Sequence, residues 1–356
     1  MKAVVLVGGM GTRLRPLTLT TPKQMLLVTE VTMIERVLSH LADHGVKEAT
    51  LSMGYRPDPF LAAFPSDRCA GVALRYAVEP TPLDTGGAIR FAALHGEVDE
   101  TFLVVNGDVL TDLDVSELVA FHRERGAGAT IHVTPVADPR AFGVVPLDEV
   151  GRVEAFIEKP EVPTTNLINA GTYVMEPEVV QRIAGDRRVS VERETFPAMV
   201  ATGSLFALAS DAYWVDAGTP ATYLRAQLDL LSGLRTGPPA PGASEGEPGV
   251  WTIGRPVVNG EVVPHSLIGD AAFVAKESQV AGSVVSAGAR VEGARVVDSV
   301  LLPGAVARAG AVVEGSIVGA GAVVGKGAEV TGLSVVGEGV ELDGDARLVG
   351  ARVPGS

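Results

Sequence analysis

The sequence contains a single cysteine, Cys69, few aromatic residues (5%) and no long hydrophobic run. One cysteine excludes an intramolecular disulfide, as is typical of proteins from a reducing compartment. The apolar start, MKAVVLVGG, reaches glycine too early for a signal peptide, and no later stretch is long enough to span a membrane. We therefore expect a cytoplasmic protein without a membrane partner.

Basic residues are also scarce, because 29 lysines and arginines stand against 43 acidic residues, for a formal net charge of −14. Such a balance repels nucleic acid and anionic lipid, so we expect no nucleic-acid partner. Glycine is abundant, with 42 residues, and 46% of the sequence is hydrophobic. For a chain of 356 residues this composition predicts a folded protein of two domains.

The first part of the chain alternates strand and helix patterns. Apolar runs predict strands at 3–7, 49–53, 73–78, 102–105 and 130–136, with helices at 33–43, 86–94 and 115–125. This alternation is typical of an α/β fold with a Rossmann-like, mostly parallel sheet and helices on both faces. We expect its ligand crevice at the carboxyl ends of the strands.

The pattern of predicted elements changes after residue 143. Extended segments are predicted at 144–147, 152–157 and 168–175, and helices at 177–184, 191–201 and 220–231. A stretch rich in Gly, Pro and Ser follows, GLRTGPPAPGASEGEPG, which is typical of a linker. We therefore predict a first domain at 1–232, a linker at 233–250 and a second domain at 251–356.

Single aliphatic residues recur every five or six positions beyond the linker, with Gly, Ala and Ser between them. They are Val274, Val280, Val285, Val291, Val296, Leu301, Val306, Val312, Ile317, Val323, Val330, Val335 and Val340. This hexapeptide repeat predicts a left-handed parallel β-helix with each aliphatic side chain inside; an irregular Val/Gly-rich sheet is the alternative. Because its end coils expose unpaired edges, we expect a homo-oligomer that assembles through this domain.

A glycine-rich segment, GGMGTRLRPLTLTTPKQM, follows the first predicted strand directly. Three glycines let backbone N–H groups approach a polyphosphate, and three cations surround it. The residues are Gly8, Gly9, Gly11, Arg13, Arg15 and Lys23. The segment is not a Walker A loop and lacks the dinucleotide-binding spacing, so it predicts a phosphate site of another kind, against a simple tight turn.

Two aspartates are candidate metal ligands. Asp108 follows a predicted strand at its carboxyl end, where a carboxylate beside an anion loop suits a bridging divalent cation. Asp216 precedes Gly218 and a predicted helix start at Pro220. Either aspartate is equally well explained by a turn or a helix cap, so the residues alone leave both readings open.

The ordered motifs of the chain resemble the sugar-1-phosphate nucleotidyltransferase family, and within it the GDP-mannose pyrophosphorylases. That family reads GGxGTRLRPLT and then PKP, which this chain matches except at Gln24. The likeness continues through NGDVL (106–110), FGVV (142–145), IEKP (157–160), INAGTYV (168–174) and WVDAGTPATYL (214–224). A C-terminal β-helix is common in the same family.

The resemblance implies that a sugar-1-phosphate oxygen attacks the α-phosphorus of a nucleoside triphosphate and releases pyrophosphate, most closely GTP and mannose-1-phosphate giving GDP-mannose. It implies Mg²⁺ held by Asp108 and Asp216, with Arg13 and Lys23 on the leaving pyrophosphate. The implied sugar-phosphate site comprises Gly143, Glu158, Lys159 and Asn169, in which Lys159 holds the attacking phosphate. Without the resemblance, a Glu-Lys pair is usually a solvated surface feature.

The implied nucleotide site comprises Gly8, Gly9, Gly11, Thr12, Glu79, Asp84 and Gly86. Glu79 falls where the family contacts the base, and its carboxylate suits the two adjacent N–H donors of guanine better than the single one of uracil or thymine. The family usually has PLGT here, and this chain has Asp84 in place of that glycine. A UDP- or dTDP-glucose type of pyrophosphorylase is therefore the alternative.

Two other functions compete with this interpretation. A non-catalytic regulatory subunit that binds nucleotide sugar would not need the metal and leaving-group residues together. An acyltransferase activity of the β-helix would use a histidine base, and only His265 lies beyond the linker. An ordinary loop residue is the simpler explanation of His265.

Overall fold

The computed structural model describes residues 1–54, 57–235 and 237–355, so Thr236 of the predicted linker lies outside the described residues. Backbone contacts divide the chain into two units. The first unit comprises Met1–Gly9 and Ile34–Trp214, and the second comprises Met10–Met33 and the chain from Val215 onward. The predicted 1–232 domain thus contributes to both units, because most of the glycine-rich segment packs with the C-terminal half.

Within the described residues, fourteen strands and seven α-helices lie before the linker. The strands are β1 Lys2–Leu6, β2 Leu27–Val28, β3 Val31–Thr32, β4 Glu48–Met53, β5 Arg68–Cys69, β6 Val72–Val78, β7 Phe102–Asn106, β8 Val109–Thr111, β9 Ala129–Pro135, β10 Gly143–Val144, β11 Ile157–Glu158, β12 Leu167–Met175, β13 Leu205–Ala209 and β14 Trp214–Asp216. The helices are α1 Met33–Asp43, α2 Asp58–Ala63, α3 Asp84–His95, α4 Val115–Arg125, α5 Pro177–Arg182, α6 Phe196–Ala201 and α7 Pro220–Leu231.

The central sheet of the first unit has the order β11-β10-β12-β7-β1-β4-β6-β5, with β9 beside β12 and β13 beside β9. Strands β7, β1, β4 and β6 are parallel neighbours. The chain proceeds outward from β1 through β4 to β6, and β7 then returns to the opposite side of β1. The point between β1 and β7 is therefore a topological switch point, where open α/β sheets bind ligands.

The sheet becomes antiparallel on the far side of β7. Strand β12 pairs antiparallel with both β7 and β9, and its register on β9 shifts between Asn169 and Tyr173, which marks a β-bulge. Strands β10 and β11 continue the antiparallel pairing. The predicted α/β class is confirmed, and this antiparallel flank places the first residues of β12 at the carboxyl edge of β7.

Local sequence signals set several helix bounds where they were predicted. Helix α4 begins after Asp114, whose side chain accepts hydrogen bonds from the N–H groups of Ser116 and Glu117, and it ends at Gly126 in the left-handed conformation. The predicted helix at 191–201 is instead a π-turn at Val191–Thr195 followed by α6. Ser190 caps the turn through the N–H of Arg193.

The C-terminal part of the chain is built from short strands, the first of which lies within the predicted linker. They are β15 Ser244–Glu245, β16 Val250–Thr252, β17 Val257–Val258, β18 Glu261–Val262, β19 Ser266–Ile268, β20 Phe273–Val274, β21 Gln279–Ala281, β22 Val284–Val285, β23 Arg290–Val291, β24 Arg295–Val297, β25 Val300–Leu301, β26 Val306–Ala307, β27 Val312–Glu314, β28 Ile317–Val318, β29 Val323–Val324, β30 Glu329–Thr331, β31 Val335–Val336, β32 Arg347–Val349 and β33 Arg352–Val353. Apart from β15, they form three sheets in which every pairing is parallel, as a β-helix requires.

Aliphatic side chains fill the β-helix, but the predicted inward set is wrong at five positions: Val306, Val312, Ile317, Val323 and Val335. The next residue in each case is 0% exposed and belongs to the core instead: Ala307, Val313, Val318, Val324 and Val336. Alternation lets only one of two adjacent residues point inward in these strands, and the period of the repeat alone does not say which one.

A ladder of buried serines runs along the coils as well. The N–H groups of Ser299, Ser316 and Ser334 each donate to the hydroxyl of the serine one coil earlier, at 3.1, 3.0 and 3.2 Å. Each serine hydroxyl thus satisfies a backbone donor inside the apolar coil stack. In the part of the chain that the structure describes, no helix is long and apolar enough to cross a membrane.

Candidate active site

The carboxyl edge of the parallel strands carries several of the predicted site residues within the first unit. Gly8 follows β1, Glu79 follows β6 and Asp108 follows β7. Leu6 pairs with Asn106, and the N–H of Gly107 donates to the carbonyl of Leu6 at 3.0 Å. Gly8 and Asp108 therefore both lie at the switch point, as the sequence predicted for a ligand crevice.

Glu79 is held beside the glycine loop by two hydrogen bonds. The carboxylate is buried, and its oxygens accept from the Ser52 hydroxyl at 3.3 Å and from the N–H of Leu83 at 2.9 Å. A Cβ at Gly8 would lie 3.6 Å from Glu79 Oε1 and 3.0 Å from the nitrogen of Gly54. The absence of a side chain at Gly8 thus lets three strand ends meet, and Ser52 is a partner that the sequence did not identify.

The start of α3 is fixed by hydrogen bonds with the residues just before the π-turn. The N–H of Gly86 donates to the carbonyl of Val189 at 2.8 Å, and a Cβ on Gly86 would lie 3.0 Å from that oxygen. Asp84 is exposed, has a φ of +63° and lies 3.8 Å from the guanidinium of Arg188. The nucleotide contacts of Asp84 and Gly86 stay predictions.

An open cleft of about 500 Å³ lies between two loops of the first unit. It is lined by Pro80, Thr81, Pro82, Leu83, Gly185, Asp186, Arg187 and Arg188. The loop 80–83 is the one whose backbone Glu79 binds, so the cleft adjoins the carboxylate. Its two arginines were not identified from the sequence, because they lie about a hundred residues away along the chain.

Three of the four predicted sugar-phosphate residues lie on β10 and β11 or directly after β11, and the fourth, Asn169, lies on β12. Gly143 pairs with Glu158, and a Cβ at Gly143 would lie 2.8 Å from the ring of Phe156 and 3.1 Å from Glu158 Oε2. Lys159 is exposed, its N–H donates to the carbonyl of Phe142, and its ammonium lies 3.3 Å from the Glu158 carboxylate. An exposed pair of this kind is weak enough to exchange for a phosphate.

Asn169 lies at the β-bulge with both ends of its amide engaged. Its Nδ2 donates to the Tyr173 hydroxyl at 2.9 Å, and its Oδ1 accepts from the N–H of Gly171 at 3.1 Å. Burial, followed by the charge of Glu192, raises the pKa of Tyr173 well above its usual range, so the hydroxyl stays protonated. Tyr173 is a further residue of this site that the sequence did not reveal, because it binds the amide of Asn169.

The glycine-rich segment of the second unit brings Gly11 and Lys23 together. Gly11 has a φ of +62°, and a Cβ there would lie 3.2 Å from Cβ of Lys23 and 3.0 Å from Cγ2 of Thr18. The Thr18 hydroxyl donates to the carbonyl of Gly11 at 2.7 Å. Gln24, which departs from the family pattern, is buried in the turn that follows. Glycine is therefore required at position 11 by both conformation and space.

Asp216 and Arg13 form an ion pair within the same unit. Arg13 Nη2 lies 3.8 Å from Asp216 Oδ2, and Oδ1 accepts from the N–H of Gly218 at 2.8 Å. Among the described residues, no group of three or more Asp, Glu, His or Cys side chains is arranged to hold a metal ion. Because Mg²⁺ usually keeps only one or two carboxylates beside phosphate oxygens, the chemistry of an aspartate such as Asp216 fits this ion, and its pairing with Asp108 stays a prediction.

His265 does not have the surroundings of a catalytic base. Its Nδ1 donates to the carbonyl of Leu231, the last residue of α7, at 3.2 Å, and its φ is +62°. This contact satisfies one of the free carbonyls at the helix end. The contact favours the structural explanation of His265 over an acyltransferase site.

A glycine-rich segment after β1, Asp108 at the sheet switch point and a C-terminal β-helix are the features expected of an α/β transferase that acts on phosphorylated substrates. The profile of the family described as nucleotidyl transferase matches residues 2–233, and the chain belongs to that family. The profile described as GMPPB C-terminal domain matches residues 261–354. The predicted family and fold class are thereby confirmed, and the protein is a sugar-1-phosphate nucleotidyltransferase.

Known proteins are similar over much of the chain. A mannose-1-phosphate guanylyltransferase of Mycobacterium tuberculosis is 41% identical over 82% of this chain and 81% of its own length. A probable mannose-1-phosphate guanylyltransferase of Oryza sativa is 37% identical over 83% of this chain and 82% of its own. The structure of HddC from Yersinia pseudotuberculosis complexed with GMP-PN is 28% identical, with a TM-score of 0.56, and covers 64% of this chain and 97% of its own.

Proposed function

We propose that the protein transfers GMP from GTP to mannose-1-phosphate, forming GDP-mannose and pyrophosphate. The observation that carries this proposal is the row of Glu79, Gly8 and Asp108 along the carboxyl edge, next to Asn169 on the antiparallel flank. A nucleotidyltransferase needs a nucleotide and a sugar phosphate side by side at such an edge. The names of the relatives support the choice of guanine and mannose.

The chain's own residues act by alignment and charge neutralisation. A phosphate monoester is already anionic near neutral pH, so the attack requires no general base. Lys159 holds the attacking phosphate, and Glu158 and Asn169 bind sugar hydroxyls. Arg13 and Lys23 stabilise the charge that develops on the departing pyrophosphate. The exposure of Arg13 and Lys159 in their present ion pairs leaves both able to exchange partners.

Nucleotidyltransferases of this family generally use a divalent metal. We assign Mg²⁺, with Asp108 and Asp216 as the carboxylates that would hold it. When bound, the metal neutralises charge on the α-phosphate. The hydrogen bond from the N–H of Gly218 fixes one oxygen of Asp216 and leaves the other directed to a cation, which Arg13 approaches in this structure.

Glu79 is the proposed reader of the base. Each of its oxygens accepts one hydrogen bond from the protein and retains a second lone pair. Two acceptors match the N1–H and exocyclic amine of guanine. The two protein bonds fix the carboxylate plane before a base arrives, which lowers the entropy cost of recognition.

We also propose that the protein works in the cytoplasm and forms a homo-oligomer through the β-helix. Val257 and Val258 on the first coil are 51% and 40% exposed, and Val349 near the last coil is 78% exposed. Valines exposed at the two ends of a coil stack suit contacts with a second copy, which would cover the open edges.

The test is pyrophosphate release by the purified chain with every pairing of GTP, ATP, UTP and dTTP with mannose-, glucose-, galactose- and fucose-1-phosphate. We expect the highest kcat/KM with GTP and mannose-1-phosphate. A maximum with UTP or dTTP and glucose-1-phosphate would establish the alternative pyrophosphorylase. Nucleotide-sugar binding without turnover of any pair would establish a regulatory subunit.

A further inference from the structure

The segment Met10–Met33, here called the signature segment, ends in a hairpin of unusual composition. Strands β2 and β3 are joined by Thr29 and Glu30, with φ angles of +46° and +68°. Two-residue hairpin turns of this conformation favour Asn-Gly because larger side chains are strained there. Thr and Glu are therefore expected only if their side chains have other partners.

Thr29 is bonded to later residues of the second unit through both its backbone N–H and its side-chain hydroxyl. Its N–H donates to Oε1 of Gln227, a fully buried residue of α7, at 2.8 Å, and its hydroxyl donates to the carbonyl of Pro239 at 2.6 Å. The amide of Gln227 also donates to the carbonyl of Leu27 at 2.9 Å. These hydrogen bonds thus attach the hairpin to α7 and to the predicted linker.

Glu30 reaches the β-helix itself. Its Oε2 accepts from the backbone N–H of Ala287 at 3.1 Å, and its Oε1 is buried without a hydrogen-bond partner among the described residues. Burying this carboxylate costs free energy, because one of its two oxygens is removed from water without gaining a hydrogen bond. We therefore expect the hydrogen bond with Ala287 to have a role that a glycine at position 30 could not fill.

The other part of the signature segment reaches a later coil. The hydroxyl of Thr20 donates to the carboxylate of Glu338, and a Cβ at Gly337 would lie 3.1 Å from Cβ of Pro16. Glu338 lies at the same corner of the β-helix as Ala287. Backbone bonds connect this corner from coil to coil: Gly304 to Ala287, Gly321 to Pro303 and Gly339 to Ala320. Three coil steps separate the two attachments, or about 14 Å at strand spacing.

We infer that the corner of the β-helix between Ala287 and Glu338 serves as the rigid support of the signature segment, and that Glu30 and Glu338 are positioning residues for the transfer reaction. The inference rests on the proposed function, because it concerns the placement of Arg13 and Lys23. Both cations lie within this one segment, and Lys23 packs against Gly11 inside it. The two attachments set where the segment lies, and hence where the two cations can meet the departing pyrophosphate.

This role predicts a specific kinetic signature. Charge on the leaving pyrophosphate develops in the transition state, so a displaced Arg13 or Lys23 lowers kcat more than it raises KM for the triphosphate. The stability of the β-helix should not change, because neither Glu30 nor Glu338 belongs to its aliphatic core. A purely structural role would instead lower stability and leave kcat of the folded fraction unchanged.

The sharpest variant is Glu30→Gly in the full-length protein. Glycine suits the φ of +68°, so the turn is relieved while the bond to Ala287 is lost. We expect kcat to fall about tenfold with an unchanged or higher Tm. Glu30→Gln retains an oxygen acceptor and should stay within about twofold of wild type. Thr20→Val and Glu338→Ala should each lower kcat about fivefold, and the double variant no further.

Glu341→Ala is the matched control, since Glu341 is exposed in the same part of the β-helix and should leave kcat unchanged. The second readout is the rate of tryptic cleavage after Arg13 and Lys23, which should rise in Glu30→Gly, Thr20→Val and Glu338→Ala but not in Glu341→Ala. Wild-type kcat and wild-type cleavage in Glu30→Gly would overturn the inference. A wild-type protein without turnover would refute the proposed function, whereas the cleavage rates would still support or refute the attachment.

Discussion

At the scale of single residues, the account depends on what each carboxylate faces. Asp216 is fixed by the N–H of Gly218 and paired with Arg13, and Glu79 is fixed by Ser52 and by the N–H of Leu83. A bond from a backbone N–H orients a carboxylate without neutralising it. In the proposed function, the oriented carboxylate of Asp216 faces a metal and that of Glu79 faces the base.

Asp108→Asn and Asp216→Asn should each lower kcat by about two orders of magnitude or more with unchanged folding. Each substitution keeps the shape of the side chain, and the amide oxygen introduced by Asp216→Asn can still accept from the N–H of Gly218, so only the charge is removed. The measurement is turnover over a range of Mg²⁺ concentrations. Asp211→Asn, at an exposed aspartate near β14, is the control and should behave as wild type. Normal turnover of either variant at limiting Mg²⁺ would show that its aspartate is a turn residue.

Glu79→Gln should shift the base preference. An amide offers one acceptor and one donor pair where guanine requires two acceptors, so kcat/KM for GTP should fall about ten- to a hundredfold. The same amide accepts from N3–H and donates to O4 of a pyrimidine, so UTP and dTTP should lose less. An equal loss for all three triphosphates would mean that Glu79 only fixes the loop at Leu83.

At the scale of elements, β9 carries a histidine in apolar surroundings. His132 is fully buried, neither ring nitrogen has a hydrogen-bond partner among the described residues, and burial lowers the pKa of His132 to about 4. The folded state therefore holds this ring neutral, whereas the unfolded state protonates it near its ordinary pKa. Stability is then complete above pH 6.5 and is lost as the pH falls toward 4.

His132→Leu should remove that acid sensitivity. Between pH 7.5 and pH 5 the wild type should lose about 2 kcal/mol more of its free energy of unfolding than the variant, because only the wild type gains a proton at this position on unfolding. Urea unfolding followed by circular dichroism at the two pH values measures the difference. Parallel pH profiles for the two proteins would show that His132 titrates alike in both states.

The hairpin of β10 and β11 allows a prediction based on space alone. Gly143→Ala would bring a methyl group to 2.8 Å from Phe156 and 3.1 Å from Glu158, so the side chains must shift. The KM for sugar-1-phosphate should rise about tenfold while that for the triphosphate stays within about twofold. Gly246→Ala, whose added Cβ meets nothing, is the control. Equal changes in both KM values would show that this hairpin does not bind the sugar-1-phosphate.

Most elements could be predicted because their signals are local. Helices α1, α4 and α7 follow the apolar periodicity and the cap residues of their own sequence. The hexapeptide repeat likewise predicts the β-helix. The antiparallel flank of β12 could not be predicted, since strand direction depends on distant partners. The split of the predicted helix at 191–201 depends on Thr85, whose hydroxyl binds Glu192 and the N–H of Val191 from more than a hundred residues away.

The residues of the candidate site also fall into those that the sequence predicts and those that it does not. Motif residues such as Gly8, Asp108 and Lys159 are visible in the sequence because their type and order are specific. Ser52 and Tyr173 are not visible as site residues, because their hydrogen bonds to Glu79 and Asn169 form only in the folded sheet. Likewise, nothing in the spacing of residues 10–33 indicates that this segment packs with the C-terminal half.

At the scale of the whole molecule, assembly is the property that the exposed valines of the β-helix predict. Wild-type protein should sediment as an oligomer, and either Val257→Asp or Val349→Asp should reduce its sedimentation coefficient, because a buried charge at a subunit contact is unfavourable. Leu234→Asp, at an exposed leucine in the linker, is the control. A monomeric wild type would contradict assembly through the β-helix.

Transfer of a nucleotidyl group by this chain can be followed through the position of a radioactive label. Purified protein is incubated with mannose-1-phosphate, Mg²⁺ and GTP labelled at either the α- or the γ-phosphorus, and the products are separated. The account predicts that the α label appears in GDP-mannose and the γ label in pyrophosphate, since attack occurs at the α-phosphorus. A γ label on the sugar, or no transfer of the α label to any sugar phosphate, would contradict it.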